Sequence, residues 1–326
     1  MHGFASMFHG RRSFFAPTSH AREIVLRLES FKTSLLRSSG IVAGREDLPS
    51  VALPERGGAF HSGGTGIGKS MNVVHIGRLH IGKGRPCIIV PLTSPSEEEL
   101  MAEASALSSV PADMAEWRVD MFGASGDPGD EAILKTLERL RGKLSLPLLA
   151  TFRTSDEGGA RSISGERYAA LCGALCESGL VDLLDVEAFF RSGRAKDIIA
   201  RAHACGVPVV ASNHDFHATP PREEIVRRLL FMQNELDADI LKIAVMPQSR
   251  EDVMTLLAAT QEASSLADRP LITMSMGPLG VISRVCGQSF GSAATFGAAR
   301  SASAPGQMEV TALDAVLRAL DDAMKS

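Results

Sequence analysis

The chain has 326 residues, with 44% hydrophobic and 22% charged side chains, the balance of an ordinary globular protein with a substantial core, which excludes disorder throughout. A formal net charge of -4, 5% aromatics and no long basic stripe argue against a phosphate-tracking or base-stacking surface, so nucleic acid is not an expected partner. No apolar run approaches the roughly eighteen residues needed to cross a bilayer, and five cysteines without framework spacing read as reduced thiols of a cytoplasmic protein.

Residues 1–70 stand apart, with nine Lys/Arg against five Asp/Glu (+4), whereas residues 71–326 carry 25 against 33 (-8). A boundary is therefore expected near residue 70, between a poorly ordered N-terminal extension and a single catalytic domain over 71–326. An amphipathic helix is expected at 20–36, followed by a Gly/Ser/Pro-rich stretch at 56–68. Arg and Ser with few acids faintly resemble an organellar leader, which would make the compartment organellar; the plainer reading is a start codon taken upstream of a true start at Met71. Residues 63–70 match the phosphate-loop pattern GxxxxGK[ST] at every fixed position. A phosphate loop needs a buried strand before it and a helix after it, and here Pro54 to Gly58 precede while a strand-like Val-Val-His-Ile run follows, so the match reads as a linker meeting the pattern by chance.

From residue 72 onward the chain becomes regular. A short helical hairpin-like start at 72–82 is expected to close the bottom of the fold. Eight strand-like runs rich in Val, Ile and Leu follow, at 87–92, 114–122, 146–154, 182–189, 207–215, 240–246, 271–276 and 290–297. Helix candidates lie between them, such as 96–108 with its Glu-rich first turn, 164–178, and 220–234, where prolines precede Glu223 and Glu224. Eight such units over 71–326 predict an α/β fold, a (β/α)8 TIM barrel, with an open doubly wound sheet as the alternative.

Polar residues gather at the C-terminal ends of the predicted strands, the face on which barrel active sites are built. Glu116, Arg118 and Asp120 alternate along the second strand and so share a face, where three inward charges must pair. By the same alternation Trp117 turns outward, toward the helix layer. The third strand ends in Thr151-Phe152-Arg153-Thr154 ahead of Glu157-Gly158-Gly159, the fourth carries Asp185 and Glu187, and the fifth ends in Ser212-Asn213-His214-Asp215-Phe216. Lys242 sits between Leu241 and Ile243 in an apolar run, where a charge is costly without a purpose. Two readings stand: a lysine paired with Glu116, Asp120 or Glu187, or a nucleophile whose desolvation and neighbouring arginines favour the neutral amine that attacks a ketone. His214 is either a satisfied core histidine or a proton carrier; with His217 it makes a poor metal pair, because three-residue spacing at a strand end splays the rings. Cys172 and Cys176 share a helix face without a third ligand and read as core, so no metal is expected. Arg284 has the geometry to hold a carboxylate with two hydrogen bonds, and Ser303 and Gln307 supply neutral donors beside it, implying a small anionic ketone as substrate.

Taken in order, Glu116-Trp117-Arg118-Val119-Asp120, Thr151-Phe152-Arg153-Thr154, Glu157-Gly158-Gly159, Ser212-Asn213-His214-Asp215-Phe216, Lys242-Ile243-Ala244-Val245-Met246-Pro247 and Ala302-Ser303-Ala304-Pro305-Gly306-Gln307 closely resemble type I 3-dehydroquinate dehydratases, over residues 72–323. The resemblance implies a (β/α)8 barrel and a cofactor-free elimination of water from 3-dehydroquinate to 3-dehydroshikimate, the third step of the shikimate route to aromatic compounds. It implies that Lys242 forms an imine with the ketone, that His214 serves as general base and acid, and that Glu157 orients it. Glu116, Trp117, Arg118 and Arg153 fall at substrate-contacting or site-shaping positions of the motifs, and Arg284, Ser303 and Gln307 at those holding the carboxylate and nearby ring oxygens. It also implies a homodimer. One departure is Pro91, where many relatives have serine. Two rivals remain at this stage: a class I aldolase, which would share the lysine, and a nucleotide-binding switch resting on residues 63–70.

Overall fold

The computed structural model describes residues 72–123, 126–299 and 303–326. The expected helix at 20–36, the 63–70 motif and the boundary near residue 70 lie outside the described residues.

The opening segment is a β-hairpin, not the helical start expected at 72–82. Strand β1 (Val74–Ile76) pairs antiparallel with β2 (Leu79–Ile81). Apolar residues two apart on either side of Gly77-Arg78 are a hairpin signal, and Gly77 takes the positive φ (58°) that a two-residue turn requires. The expected position is right even so, since Ile76 and Ile81 pack into the floor of the barrel with Met114, Leu149, Leu183, Val210 and Ile240.

Eight parallel strands follow: β3 (Cys87–Leu92), β4 (Met114–Arg118), β5 (Leu148–Thr151), β6 (Leu183–Glu187), β7 (Val209–Asp215), β8 (Ile240–Val245), β9 (Leu271–Ser275) and β10 (Ala294–Ala298). From β3 to β9 each pairs with the next, and β10 returns to pair with β3. A Leu271–Ser292 bridge, with the Ala293 amide donating to the Leu271 carbonyl at 2.7 Å, completes the ring, and β11 (Met308–Glu309) adds to the outer end of β10. All eight predicted strands are present. Several are shorter than expected, because the polar ends of the runs fold into turns: residues 119–121 and 155–157 form 3-10 turns beyond β4 and β5, and the expected start of the last strand, 290, closes another.

The helices are α1 (Glu97–Ala106), α2 (Gly129–Lys143), α3 (Gly165–Glu177), α4 (Ala195–Ala204), α5 (Arg222–Asn234), α6 (Arg250–Leu266), α7 (Gly277–Cys286) and α8 (Val310–Lys325). Serines open three of them. Ser96 and Ser164 accept backbone N–H groups of Glu99 and Arg167, and Ser249 exchanges hydrogen bonds with Asp252 in a capping box, each such cap being worth about 1 kcal/mol. No described helix is long and apolar enough to cross a membrane.

Period-two alternation divides the strands between two cores. Outward residues such as Val90, Trp117, Ala150, Val186, Ala211, Leu241 and Ile243 pack against the helix layer. Inward residues form a smaller apolar cluster at the bottom of the barrel. Fully buried Leu and Ile contribute roughly 1.5–3 kcal/mol each, which is the reserve against which the polar upper half of the barrel is held.

Candidate active site

Inward positions change character on moving up each strand. Met114 gives way to Glu116 and Arg118, Leu149 to Thr151, Leu183 to Asp185 and Glu187, Val210 to Ser212 and His214, and Ile240 to Lys242. These side chains surround a cavity at the C-terminal ends of the strands, lined by Glu116, Arg118, Arg153, Glu157, His214, Lys242, Arg284, Ser303 and Gln307 with Phe216, Met274, Met276 and Phe296. Nine of the ten sequence-predicted site residues therefore come together.

Trp117 is the exception and a correction. Its indole is fully buried on the opposite face of β4, edge-on to Phe122 at 5.7 Å, and does not line the cavity. A position within a motif does not override strand alternation: the neighbour of two inward residues must face out.

Lys242 is 3% exposed. Its Nζ lies 3.2 Å from Asp185 Oδ2, 3.8 Å from Glu116 Oε1 and 4.6 Å from the centre of the Phe296 ring. Its close charged neighbours are therefore carboxylates, Glu116 among them as in the pairing reading, rather than the arginines of the nucleophile reading. Asp185 in turn accepts Arg153 Nη2 at 2.7 Å and the Ser212 hydroxyl at 2.6 Å, and despite complete burial these partners keep it below the ordinary aspartate value. Asp185 and Phe296 were not foreseen as partners of the lysine. The signal existed, since Asp185 sits two residues above inward-facing Leu183 and two below inward-facing Glu187.

His214 ends the inward face of β7. Its Nδ1 is 3.0 Å from Glu157 Oε2, and its backbone N–H donates to the same oxygen at 2.9 Å. Burial, then the positive charges of Arg153, Lys242 and Arg118, hold the imidazole well below its ordinary value, so it stays neutral. Glu157 goes the other way: burial, together with Glu187 and Asp185, pushes it up to about 8 against the opposing pull of Arg153 and an Asn213 hydrogen bond. The two side chains are thus in direct hydrogen-bond contact, with Nδ1 facing Oε2. Glu157 reaches this place through a tight 3-10 turn ended by Gly158 (φ 81°), where an added Cβ would stand 2.3 Å from the Phe216 ring.

Arg153 is the hub of the polar layer. Its guanidinium reaches Asp185, Glu187 at 3.1 Å, the Ser212 hydroxyl at 2.9 Å and, more distantly, Glu157 at 3.4 Å. Glu187 also accepts both the amide and the hydroxyl of Thr154 at 2.8 Å. Arg118 makes a two-pronged pair with Asp120, both contacts 2.8 Å. Asp120 lies in the turn after β4 rather than on the strand as expected, where it also accepts the amides of Arg153 and Ala160. Glu116 accepts the Thr151 hydroxyl at 2.9 Å. These buried charges are paired and hydrogen-bonded, the condition under which they are tolerated.

Arg284 differs. It is 2% exposed, on the inner face of α7, and makes no ion pair among the described residues: Nη2 donates to the Pro305 carbonyl at 3.1 Å, Nη1 approaches the Met274 sulfur at 3.5 Å, and Nε has no partner. Desolvation alone pulls it down to about 10. A buried guanidinium facing a cavity without a carboxylate calls for an external anion. Beside it the Gln307 amide donates to the Ser303 hydroxyl at 2.9 Å and its carbonyl accepts the Ser303 amide at 2.8 Å, holding the loop compact.

The family described as "Type I 3-dehydroquinase" matches residues 88–324. A 3-dehydroquinate dehydratase of Escherichia coli O9:H4 (strain HS) is 50% identical over 255 residues, covering 78% of this chain and all of the relative. Among solved structures, a type I 3-dehydroquinate dehydratase from Clostridium difficile, crystallised with covalently modified comenic acid, is similar with a TM-score of 0.74 and 45% identity over 78% of this chain and 99% of its own. The 3-dehydroquinate dehydratase of Geobacillus kaustophilus HTA426 gives the same TM-score and coverage at 36% identity. Since the match runs through every strand that bounds the cavity and takes in the full length of these relatives, the chain belongs to the type I 3-dehydroquinases, a family of enzymes.

Proposed function

We propose that the chain removes water from 3-dehydroquinate to give 3-dehydroshikimate through an imine on Lys242. The observation that carries this reading is a buried primary amine in the same cavity as a buried arginine lacking a carboxylate, with a glutamate-held histidine between strands that line it. The substrate carboxylate supplies the anion that Arg284 lacks, with Ser303 and Gln307 beside it, and this directs the ring ketone down toward Nζ.

Lys242 first passes a proton to a neighbouring base; its amine then adds to the ketone carbon, and loss of water leaves a protonated imine. This cation draws electrons from the adjacent C–H bond. His214 accepts that proton, an enamine forms, and its electrons expel the hydroxyl one carbon further on as His214 returns the proton to the departing oxygen. Water then hydrolyses the imine and frees Lys242. Atoms balance: one substrate gives one product and one water. Glu116, Arg118 and Arg153 border the ring and meet its hydroxyl groups. In this reading no metal or cofactor takes part, the enzyme is a cytoplasmic homodimer, and residues 71–326 are the catalytic domain.

Borohydride added with 3-dehydroquinate reduces the imine to a stable secondary amine. The expected outcome is an irreversible mass increase located by peptide mapping at Lys242; a label elsewhere, or none, rules the mechanism out.

A further inference from the structure

Behind the Glu157–His214 pair runs a chain of hydrogen bonds that the proposed reaction does not by itself explain. Arg228, on α5, donates from Nη1 to Asn213 Oδ1 at 2.9 Å. By alternation Asn213 lies on the outward face of β7, and its Nδ2 donates to Glu157 Oε1 at 2.9 Å. The other oxygen, Oε2, takes both the backbone N–H and Nδ1 of His214. Arg228 is itself held by Glu224 one turn earlier on the helix, at 2.7 Å, and lies over the Phe189 ring at 5.9 Å.

The chemistry of these groups fixes the direction of every bond. A guanidinium has only donors, so the Asn213 atom facing it must be the carbonyl oxygen, and the atom facing Glu157 must be the amide nitrogen. Oε1 of Glu157 is therefore always an acceptor. Any proton on the carboxyl is restricted to Oε2, in line with His214 Nδ1. With Glu157 ionised, Nδ1 carries the hydrogen and Nε2 is left bare; with Glu157 protonated, Nε2 carries it and the ring cannot serve as base toward the cavity.

We propose that Arg228, acting through Asn213, is a positioning residue that stabilises ionised Glu157 and so keeps His214 Nε2 available as the proton acceptor. The inference rests on His214 being the general base. Charges facing the pair are Arg153 beyond β5, Asp185 and Glu187 on β6, Lys242 on β8 and Arg118 on β4; the acidic members oppose ionisation of Glu157, and the Asn213 donor counters them on the one side that Arg153 does not reach.

Arg228→Met removes the donor while keeping the volume, and leaves the Asn213 amide free to turn. The acid limb of kcat, which reports loss of the pair's proton, is expected to move up by about one pH unit, the effect of losing roughly one hydrogen bond to a charged group, while KM changes little and turnover recovers at high pH. Arg228→Lys, which restores a cationic donor, is expected to bring the limb most of the way back. An equal fall in kcat at every pH, or an unmoved limb in Arg228→Met, overturns the proposal, as does a wild-type enzyme without an acid limb. Should Arg228→Met fold poorly, Arg228→Gln, a neutral donor, decides the matter by an intermediate shift. Borohydride labelling run on the same samples keeps the imine separate: an unlabelled Lys242 in wild type removes that reading, while the limb still reports on Glu157 and His214.

Discussion

At the scale of single residues, the site sets Arg284, which has no ion pair among the described residues, beside cations that are paired. Replacing Arg284 with Met removes a desolvated guanidinium that has no carboxylate partner. The expected outcome is a divided one: KM for 3-dehydroquinate rises about a hundredfold or more, from loss of a two-pronged charged contact worth roughly 3 kcal/mol, while the urea midpoint rises or stays level. A variant that binds substrate normally would show that Arg284 is structural. The Glu157–His214 pair yields a second test, in stability. Folded Glu157 keeps its proton up to about 8, whereas the unfolded glutamate loses its own near 4.5; above 6.5 the histidine is neutral in both states, so from there to about 8 the folded chain holds one proton more and stability falls as pH rises. Urea midpoints across this range should show a decline between neutral pH and about 8 that Glu157→Gln abolishes. A decline equal in both proteins would assign it to other groups.

At the scale of elements, short turns between strand and helix determine where the reacting groups stand. The segment holding Ser303 and Gln307 is pinned where Gly306 (φ 78°) crosses α7, since a Cβ there would lie 2.4 Å from the Gly277 carbonyl oxygen. That neighbour is backbone and has little room to move. Gly306→Ala is therefore expected to displace the loop, raising KM tenfold or more with a stability loss of about 1–3 kcal/mol. Unchanged KM in a folded variant would mean that the loop takes no part in binding. Hydrophobic periodicity made the eight strands and the capped helices readable beforehand, because each buries one face and polar residues begin where burial ends. Strand ends were less readable. Val119 to Met121 continue the alternation of β4, yet the Arg118–Asp120 pair and the amides of Arg153 and Ala160 draw Asp120 into a turn. The hairpin at Val74–Ile76 and Leu79–Ile81 departs from the expected helical start because Gly77, between two short alternating runs, takes the positive φ of a two-residue turn.

At the scale of the whole molecule, 78% of this chain matches the full length of the Escherichia coli relative and 99% of the Clostridium difficile structure. Removing residues 1–70 is accordingly expected to leave kcat/KM and the urea midpoint of the barrel unchanged, and EDTA to leave turnover unchanged. A large loss of activity on truncation would place the extension in the site. The amino-acid sequence by itself determined the barrel, the inward placement of Lys242, His214 and Glu116, and, through six ordered motifs, the family, because alternation and motif order are local and survive without coordinates. Only the tertiary structure decided that Asp185 and Phe296 flank Lys242, that Arg284 goes without an ion pair among the described residues, and that Arg228 reaches Glu157 through Asn213. Those are contacts between strands and helices far apart in the chain, and which long side chain meets which is settled by the closure of the barrel and the competition among buried charges for too few partners.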